Sequence, residues 1–299
     1  CGMTHKTVNK FSKYKVPVFE CMLATDSAKH EKKMVGEMIV EPKLDGVRVI
    51  VICDVDKDEV KLFSRNGKEL SNFPIINKQF DDMLDQMSES MVFDGEVMSD
   101  DFQTLMREIH RKGGAKTKDA KLNLFDCMPL EDFMAGGCDG DIMTRKTMLE
   151  KFEFGPNINL VEYVKMNLSE PDGQKQFADY NKLCIDRGFE GIMVKPIGGI
   201  YECRRSVGWL KVKPFIEVSL TVIDTEEGTG RNAGKLGALI VEGKDSGKFI
   251  KTNVGSGLTD ADRETFWKAK DELIGQVIEV RADAITQNQD ATDTWSLRF

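Results

Sequence analysis

Past residue 36 the apolar residues arrive in strand-length runs, and that rhythm limits the possible folds more than any other feature. Met38-Ile39-Val40 is followed by Val47-Arg48-Val49-Ile50-Val51-Ile52 and then by Val60-Lys61-Leu62-Phe63. The polar Asp56-Lys57-Asp58 between the last two marks a hairpin turn. Met91-Val92-Phe93, Leu122–Phe125, Ile192-Met193-Val194 and Trp209-Leu210-Lys211-Val212 continue the pattern. Helical spacing appears elsewhere, at Phe80, Met83, Leu84 and Met87, over Lys146–Phe152 and over Gln174–Asp186. Antiparallel strands with segregated helices predict an α+β domain.

After Pro214 the character changes. Val218–Ile223, Leu236–Val241 and Lys248–Val254 read as three strands between glycine-rich turns. Thr259, with Asp262 at the third helical position, caps a helix expected to run to Leu273, and Val277–Val280 is a fourth strand. That order predicts a small OB-fold β-barrel, with the chain stopping at Trp295-Ser296-Leu297-Arg298-Phe299 before a fifth strand is complete. The expected division is a leader over 1–19, a large domain over 20–216 and an OB domain over 217–299.

Composition narrows the class. Hydrophobic residues make up 40% and charged residues 31% of the 299 positions, which is the balance of a soluble globular protein. No apolar run nears the ~18 residues that span a bilayer, and no signal peptide opens the chain. Seven cysteines are scattered without a C-x-x-C pair, which argues against a zinc site or disulfide framework and for reduced thiols in a cytosol-like compartment. The net charge of −8 does not advertise nucleic-acid binding. Basic residues nevertheless cluster at Arg107, Arg111, Lys112, Lys116, Lys118 and Lys121, and again at Arg204, Arg205, Lys211 and Lys213. Solvated surface is the plain reading of such runs.

Lys43-Leu44-Asp45-Gly46 is the first candidate for chemistry. A match this short arises by chance in roughly a few per cent of chains of this length. A lysine at the end of a buried strand, with its pKa lowered by burial and nearby cations, is an amine nucleophile. A solvated strand-to-turn junction is the plainer alternative. Taken singly, the other candidates also have plain readings. Glu96 and Glu190 are exposed strand-end carboxylates, Lys211-x-Lys213 the outer face of a strand, and Phe125 ordinary core.

In series these segments are more specific. Glu41-Pro42-Lys43-Leu44-Asp45-Gly46-Val47-Arg48 resembles motif I of the covalent nucleotidyltransferases, the superfamily of DNA ligases, RNA ligases and mRNA capping enzymes. Ser64-Arg65-Asn66-Gly67 resembles motif Ia, Phe93-Asp94-Gly95-Glu96 motif III and Leu124-Phe125-Asp126 motif IIIa. Glu190-Gly191-Ile192-Met193-Val194-Lys195 is similar to motif IV, and Trp209-Leu210-Lys211-Val212-Lys213-Pro214 to motif V. The resemblance implies an ATP-dependent DNA ligase with an ATP-grasp-like nucleotidyltransferase domain and an OB domain.

In such an enzyme AMP passes from ATP to lysine, then to the 5′-phosphate of a nick, and the 3′-hydroxyl finally displaces it. These are displacements at phosphorus, helped mainly by alignment and charge neutralisation. The resemblance assigns Lys43 as nucleophile and Lys211 and Lys213 to the α-phosphate. It gives Arg48 and Arg65 to phosphate and ribose oxygens, Glu41 and Phe125 to the nucleoside, and Glu96 and Glu190 to Mg²⁺ (or Mn²⁺). Arg205 is carried over as a further nucleotide contact. It further implies a monomer acting on nicked double-stranded DNA, with no membrane partner, in the cytoplasm, or in a host cytosol if viral.

The family's closing motif VI does not follow Phe299, so the sequence reads as a fragment whose lysine adenylylation is impaired. The Arg65-Asn66-Gly67 triplet, the Glu-Gly-Ile-Met-Val-Lys form and the OB tail favour a DNA ligase over an RNA ligase or a capping enzyme. An inactive nucleic-acid-binding relative is the rival from another class, opposed by the intact Lys43, Glu96, Glu190, Lys211 and Lys213.

Overall fold

A computed structural model describes residues 19–99, 120–287 and 293–298. The chain divides into two compact units, the first running through Val212 and the second from Lys213. Among the described residues no helix is long and apolar enough to cross a membrane.

In the first unit the elements run β1 (Leu23–Asp26), β2 (Glu37–Pro42), β3 (Val47–Asp54), β4 (Glu59–Ser64), α1 (Pro74–Asp81), β5 (Met91–Met98) and β6 (Lys121–Pro129). They continue with α2 (Leu130–Ala135), β7 (Gly137–Cys138), α3 (Ile142–Leu149), β8 (Ile158–Leu160) and β9 (Val164–Asn167). The unit ends with α4 (Pro171–Asp186), β10 (Ile192–Pro196), β11 (Tyr201–Glu202) and β12 (Arg205–Val212). Two five-stranded sheets result, ordered β1-β12-β10-β2-β9 and β4-β3-β5-β6-β8, with β7 and β11 as a separate ribbon. Pairing is mostly antiparallel, as expected, but β1 with β12 and β6 with β8 are parallel.

Strand β3 shows why the sheets stack. Val49, Val51 and Cys53 point into one core, shared with Ile76 and Phe80 of α1. Ile50, between them, points the other way into a core shared with Met22, Tyr201 and Trp209 from the opposite side. A strand buried on both faces reads as a continuous apolar run, which is how residues 49–53 appear. The outer face of the other sheet packs Val40 and Val194 against Cys184 of α4.

Helix boundaries differ from the periodic reading. α1 starts earlier, at Pro74, because proline is suited to the first turn. It ends at Asp81, and Leu84–Gln86 form a separate 3₁₀ turn. All four residues of the Phe80–Met87 pattern are still buried, so the apolar spacing reported burial and not helix length. α3 begins at Ile142 because the Asp141 side chain accepts from the Thr144 amide.

The second unit comprises β13 (Ile216–Glu227), β14 (Leu236–Asp245), β15 (Lys248–Val254), α5 (Asp260–Lys268), α6 (Lys270–Leu273), β16 (Val277–Ala282), β17 (Ala284–Gln287) and β18 (Trp295–Arg298). They form one six-stranded sheet ordered β16-β13-β14-β15-β18-β17. Thr259 and Asp262 make the anticipated capping box. The expected single helix is broken at Ala269. The last residues differ from expectation too: Trp295–Arg298 is a strand, antiparallel to β17 and bridged to β15 through Ile250 and Trp295.

Candidate active site

The site forms where β2 ends and β10 begins. Their antiparallel ladder sets Met193 opposite Glu41 and Ile192 opposite Pro42. The ladder carries on one step past both strands. The Lys43 amide donates to the Gly191 carbonyl at 2.8 Å, and the Glu190 amide donates to the Lys43 carbonyl at 3.0 Å. Motifs distant in sequence are thereby held side by side by the backbone. Their side chains meet directly, the Lys43 ammonium donating to Oε2 of Glu190.

Glu96 comes from the facing sheet, opposite Arg48 in the β3–β5 register. Its Oε1 accepts the Gly46 amide at 3.2 Å. A Cβ on Gly46 would stand 2.3 Å from the Val97 carbonyl oxygen, so only glycine lets the loop after Lys43 lie this close to β5. Burial pushes the Glu96 carboxyl up to about 7, against the opposing pull of Arg48 and Lys43. Those two cations are already committed, Lys43 to Glu190 and Arg48 to Asp94.

The Arg48 fork grips Asp94 through Nε at 2.5 Å and Nη2 at 2.6 Å, and Nη2 also donates to the Met22 carbonyl at 3.2 Å. Its guanidinium lies 4.7 Å from the centroid of the Phe125 ring. Phe125 is half-buried and meets Trp209 edge to face at 5.7 Å. Phe125 and the Arg48 guanidinium over its ring thus form a wall that offers an aromatic and a cationic surface.

Glu41 lies behind that wall and is 2% exposed. Its carboxylate is shared by Lys195, at 2.6 Å, and by Lys146. Burial disfavours its charge, yet the two ammonium groups hold the carboxyl below its ordinary range. Burial also lowers Lys195, whose ammonium sits 5.0 Å from the Phe125 centroid and 4.3 Å from that of Trp209.

The remaining candidates are spread more widely. Lys211 is opposite Met193 on β12, with its ammonium 4.0 Å from Asp26. Lys213 opens the second unit and donates there to Asp283 at 3.3 Å. Arg65 is exposed in the turn after β4, and Arg205 is exposed with its guanidinium on the Ala24 carbonyl at 2.5 Å. Of the basic stretch from Arg107 to Lys121, only Lys121 is among the described residues.

Sequence reasoning missed the partners Asp94, Lys146 and Lys195. Asp94 and Lys195 stand inside quoted motifs, which was a signal; Lys146 stands in none, at the start of the helix expected over Lys146–Phe152. It also missed Asp126, whose buried carboxylate takes Arg145 at 2.7 and 3.0 Å.

The donor set suits a hard divalent cation. Glu96 and Glu190 flank Lys43, and among the described residues no larger cluster of His, Cys, Asp or Glu forms. Mg²⁺ commonly takes only one or two carboxylates and fills its shell with water and phosphate oxygens. A half-buried carboxyl raised to about 7, with both nearby cations engaged elsewhere, is one that a metal ion would relieve.

Comparison with known proteins agrees with this geometry. Residues 21–213 match the model of the ATP dependent DNA ligase domain, and residues 227–290 match that of the DNA ligase OB-like domain. The DNA ligase of Thermococcus onnurineus (strain NA1) is 30% identical over 295 residues, covering 89% of this chain and 50% of the relative. The DNA ligase of Natronomonas pharaonis is 33% identical, covering 77% of this chain and 42% of the relative. This chain thus spans about half the length of the curated relatives it matches. A solved structure named Pmar-Lig_Pre superposes with a TM-score of 0.89 at 45% identity, covering all of this chain and 71% of the other. With the family model matched over residues 21–213, which carry Lys43, Glu96 and Glu190 and make up more than half of the sequence, the chain belongs to the ATP-dependent DNA ligases.

Proposed function

We propose that this chain seals nicks in duplex DNA through an AMP-lysine at Lys43, acting as a monomer inside the cell, with residues 20–216 as adenylation domain and 217–299 as OB domain. The observation that carries the reading is the Lys43–Glu190 pair facing Glu96, beside a wall fit for a purine. In the first step the Lys43 amine, having lost its proton, attacks the α-phosphorus of ATP. A nitrogen–phosphorus bond forms and pyrophosphate leaves. The 5′-phosphate of the nick next takes the AMP from lysine, and attack by the 3′-hydroxyl joins the strands and releases AMP.

The residues divide that work. Phe125 stacks on the base, and Arg48 donates beside it. Glu41, with Lys195 and Lys146, makes the back of the base pocket. Lys211 offers positive charge to the α-phosphate from β12, while Lys213 is partly answered by Asp283. Arg65 and Arg205 are exposed enough to reach phosphate oxygens. Glu96 and Glu190 would hold Mg²⁺ or Mn²⁺, which supplies Lewis-acid neutralisation of phosphate charge.

Two measurements test this. Intact mass after prolonged incubation with ATP and Mg²⁺, long enough to reveal even a slow first step, is expected to show one added AMP, absent in Lys43→Ala. A duplex with a pre-adenylylated nick is expected to be sealed without ATP, and not by Glu96→Ala. Failure of both, with nicked DNA demonstrably bound, would leave a nucleic-acid-binding relative as the better reading.

A further inference from the structure

We infer that Tyr201 is a positioning residue for the nucleotide: its hydroxyl holds Asp94, and through Asp94 the Arg48 fork, at the wall beside Phe125. The inference rests on the proposed use of this cleft for ATP.

Tyr201 is 1% exposed and lies on the short ribbon that pairs it with Cys138. Its hydroxyl accepts the Met22 amide at 3.1 Å and donates to Oδ2 of Asp94 at 2.6 Å. The amide can only donate, so the phenol proton is left to point at the carboxylate. Asp94 is fully buried and receives Arg48 on both oxygens. The two Asp94 contacts use Nε and Nη2 of Arg48, so Nη1 is the nitrogen without a partner among the described residues. A guanidinium is planar, so the orientation of Asp94 also decides where Nη1 points.

The hydroxyl is aimed by packing that does not depend on it. The Tyr201 ring stands edge-on to Trp209 at 5.5 Å, tilts against Phe133 at 6.4 Å and lies 5.9 Å from the Arg145 guanidinium carbon. Arg145 is itself clamped on Asp126. Phenylalanine would keep those contacts and remove only the oxygen. Asp94 would then lose a donor in a dry core, free to turn and carry the Arg48 fork with it.

A tyrosine that only satisfied a buried polar pair would affect melting and leave ATP dependence unchanged. The test is single-turnover AMP transfer to Lys43 across ATP concentrations with Mg²⁺, alongside calorimetric ATP binding. Wild type, Tyr201→Phe, Arg48→Lys and the double variant are compared. Tyr201→Phe is expected to raise half-saturating ATP about five- to tenfold while the limiting rate stays within about twofold. In the Arg48→Lys background the same change should add less than about twofold, because it acts through Arg48. Unchanged half-saturating ATP, or full additivity in the double variant, overturns the inference. Should Tyr201→Phe fail to fold, Asp94→Asn must raise half-saturating ATP at least as far, and an unchanged value again overturns it. A wild type that binds ATP but transfers no AMP would sink the catalytic reading, and calorimetry on the variants would still decide the role of Tyr201. A wild type that binds no ATP overturns both.

Discussion

Glu41 and Glu96 sit on the facing sheets of one unit, the first fully buried and the second half-buried, and the protein treats them in opposite ways. Glu41 receives two lysines in direct contact and is held below the ordinary carboxyl range. Glu96 receives one backbone amide, and burial drives it up to about 7. Cations are not scarce around Glu96; Lys43 and Arg48 are both near, but each is taken by another carboxylate. The contrast separates a carboxylate whose counter-charge is built into the fold from one left to be completed by something that binds. It also gives the two groups opposite pH slopes. Stability from Glu41 is present above its unfolded pKa and lost as pH falls through its folded one, whereas burial of Glu96 costs stability as pH rises.

The largest effect should come from removing the completed centre. Glu41→Gln strands two buried ammonium groups, and unfolding in urea is expected to show a loss of about 3–5 kcal/mol. Replacing the whole cluster, with Glu41→Leu, Lys146→Met and Lys195→Met together, should recover most of it, since no charge then remains unpaired. A loss below about 1 kcal/mol for Glu41→Gln alone would break the comparison from this side.

Glu96→Gln should act in the other direction. Between the ordinary value of 4.5 and the folded value of about 7 the folded state binds more protons than the unfolded one, so wild-type stability falls as pH rises through that window. At pH 8 the variant is expected to be the more stable by on the order of 2 kcal/mol, and near pH 4 the two should coincide. Parallel stability curves from pH 4 to 8 would refute the account of Glu96. Mg²⁺ sharpens it: at pH 8 and ten times its dissociation constant, the ion should stabilise wild type by about 1.4 kcal/mol and leave Glu96→Gln nearly unmoved.

This contrast was only half legible in the sequence. Glu96, Glu190 and Lys43 stand in short motifs with constrained spacing, and the strands in or beside which they lie are apolar runs clear enough to be found. Glu41 was legible as a residue but not as half of an ion cluster, because Lys146 stands outside every short motif and more than a hundred positions away on α3. Nothing in local spacing says that a lysine on α3 turns inward; only the packing of α3 against β6 decides that. Asp94 and Tyr201 met the same limit, since their bond joins residues 107 positions apart. In the second unit the capping box and the first four strands were readable. The strand at Trp295–Arg298 depends on pairing with β15 and β17 that no short window contains.

The smallest prediction checks whether burial, and not the mere presence of an ion pair, makes Glu41 costly to disturb. Lys182 and Asp186 on α4 form a 2.5 Å pair one helical turn apart, with the side chains 76% and 57% exposed. The distance is as short as those in the Glu41 cluster, but water screens both charges and would solvate either one left alone. Lys182→Ala is therefore expected to leave the urea midpoint unchanged within error, at low salt and at high. A shift approaching that of Glu41→Gln would mean that pairing itself carries the energy. The difference between the Glu41 and Glu96 sites would then have to be sought in geometry instead of in exclusion from solvent.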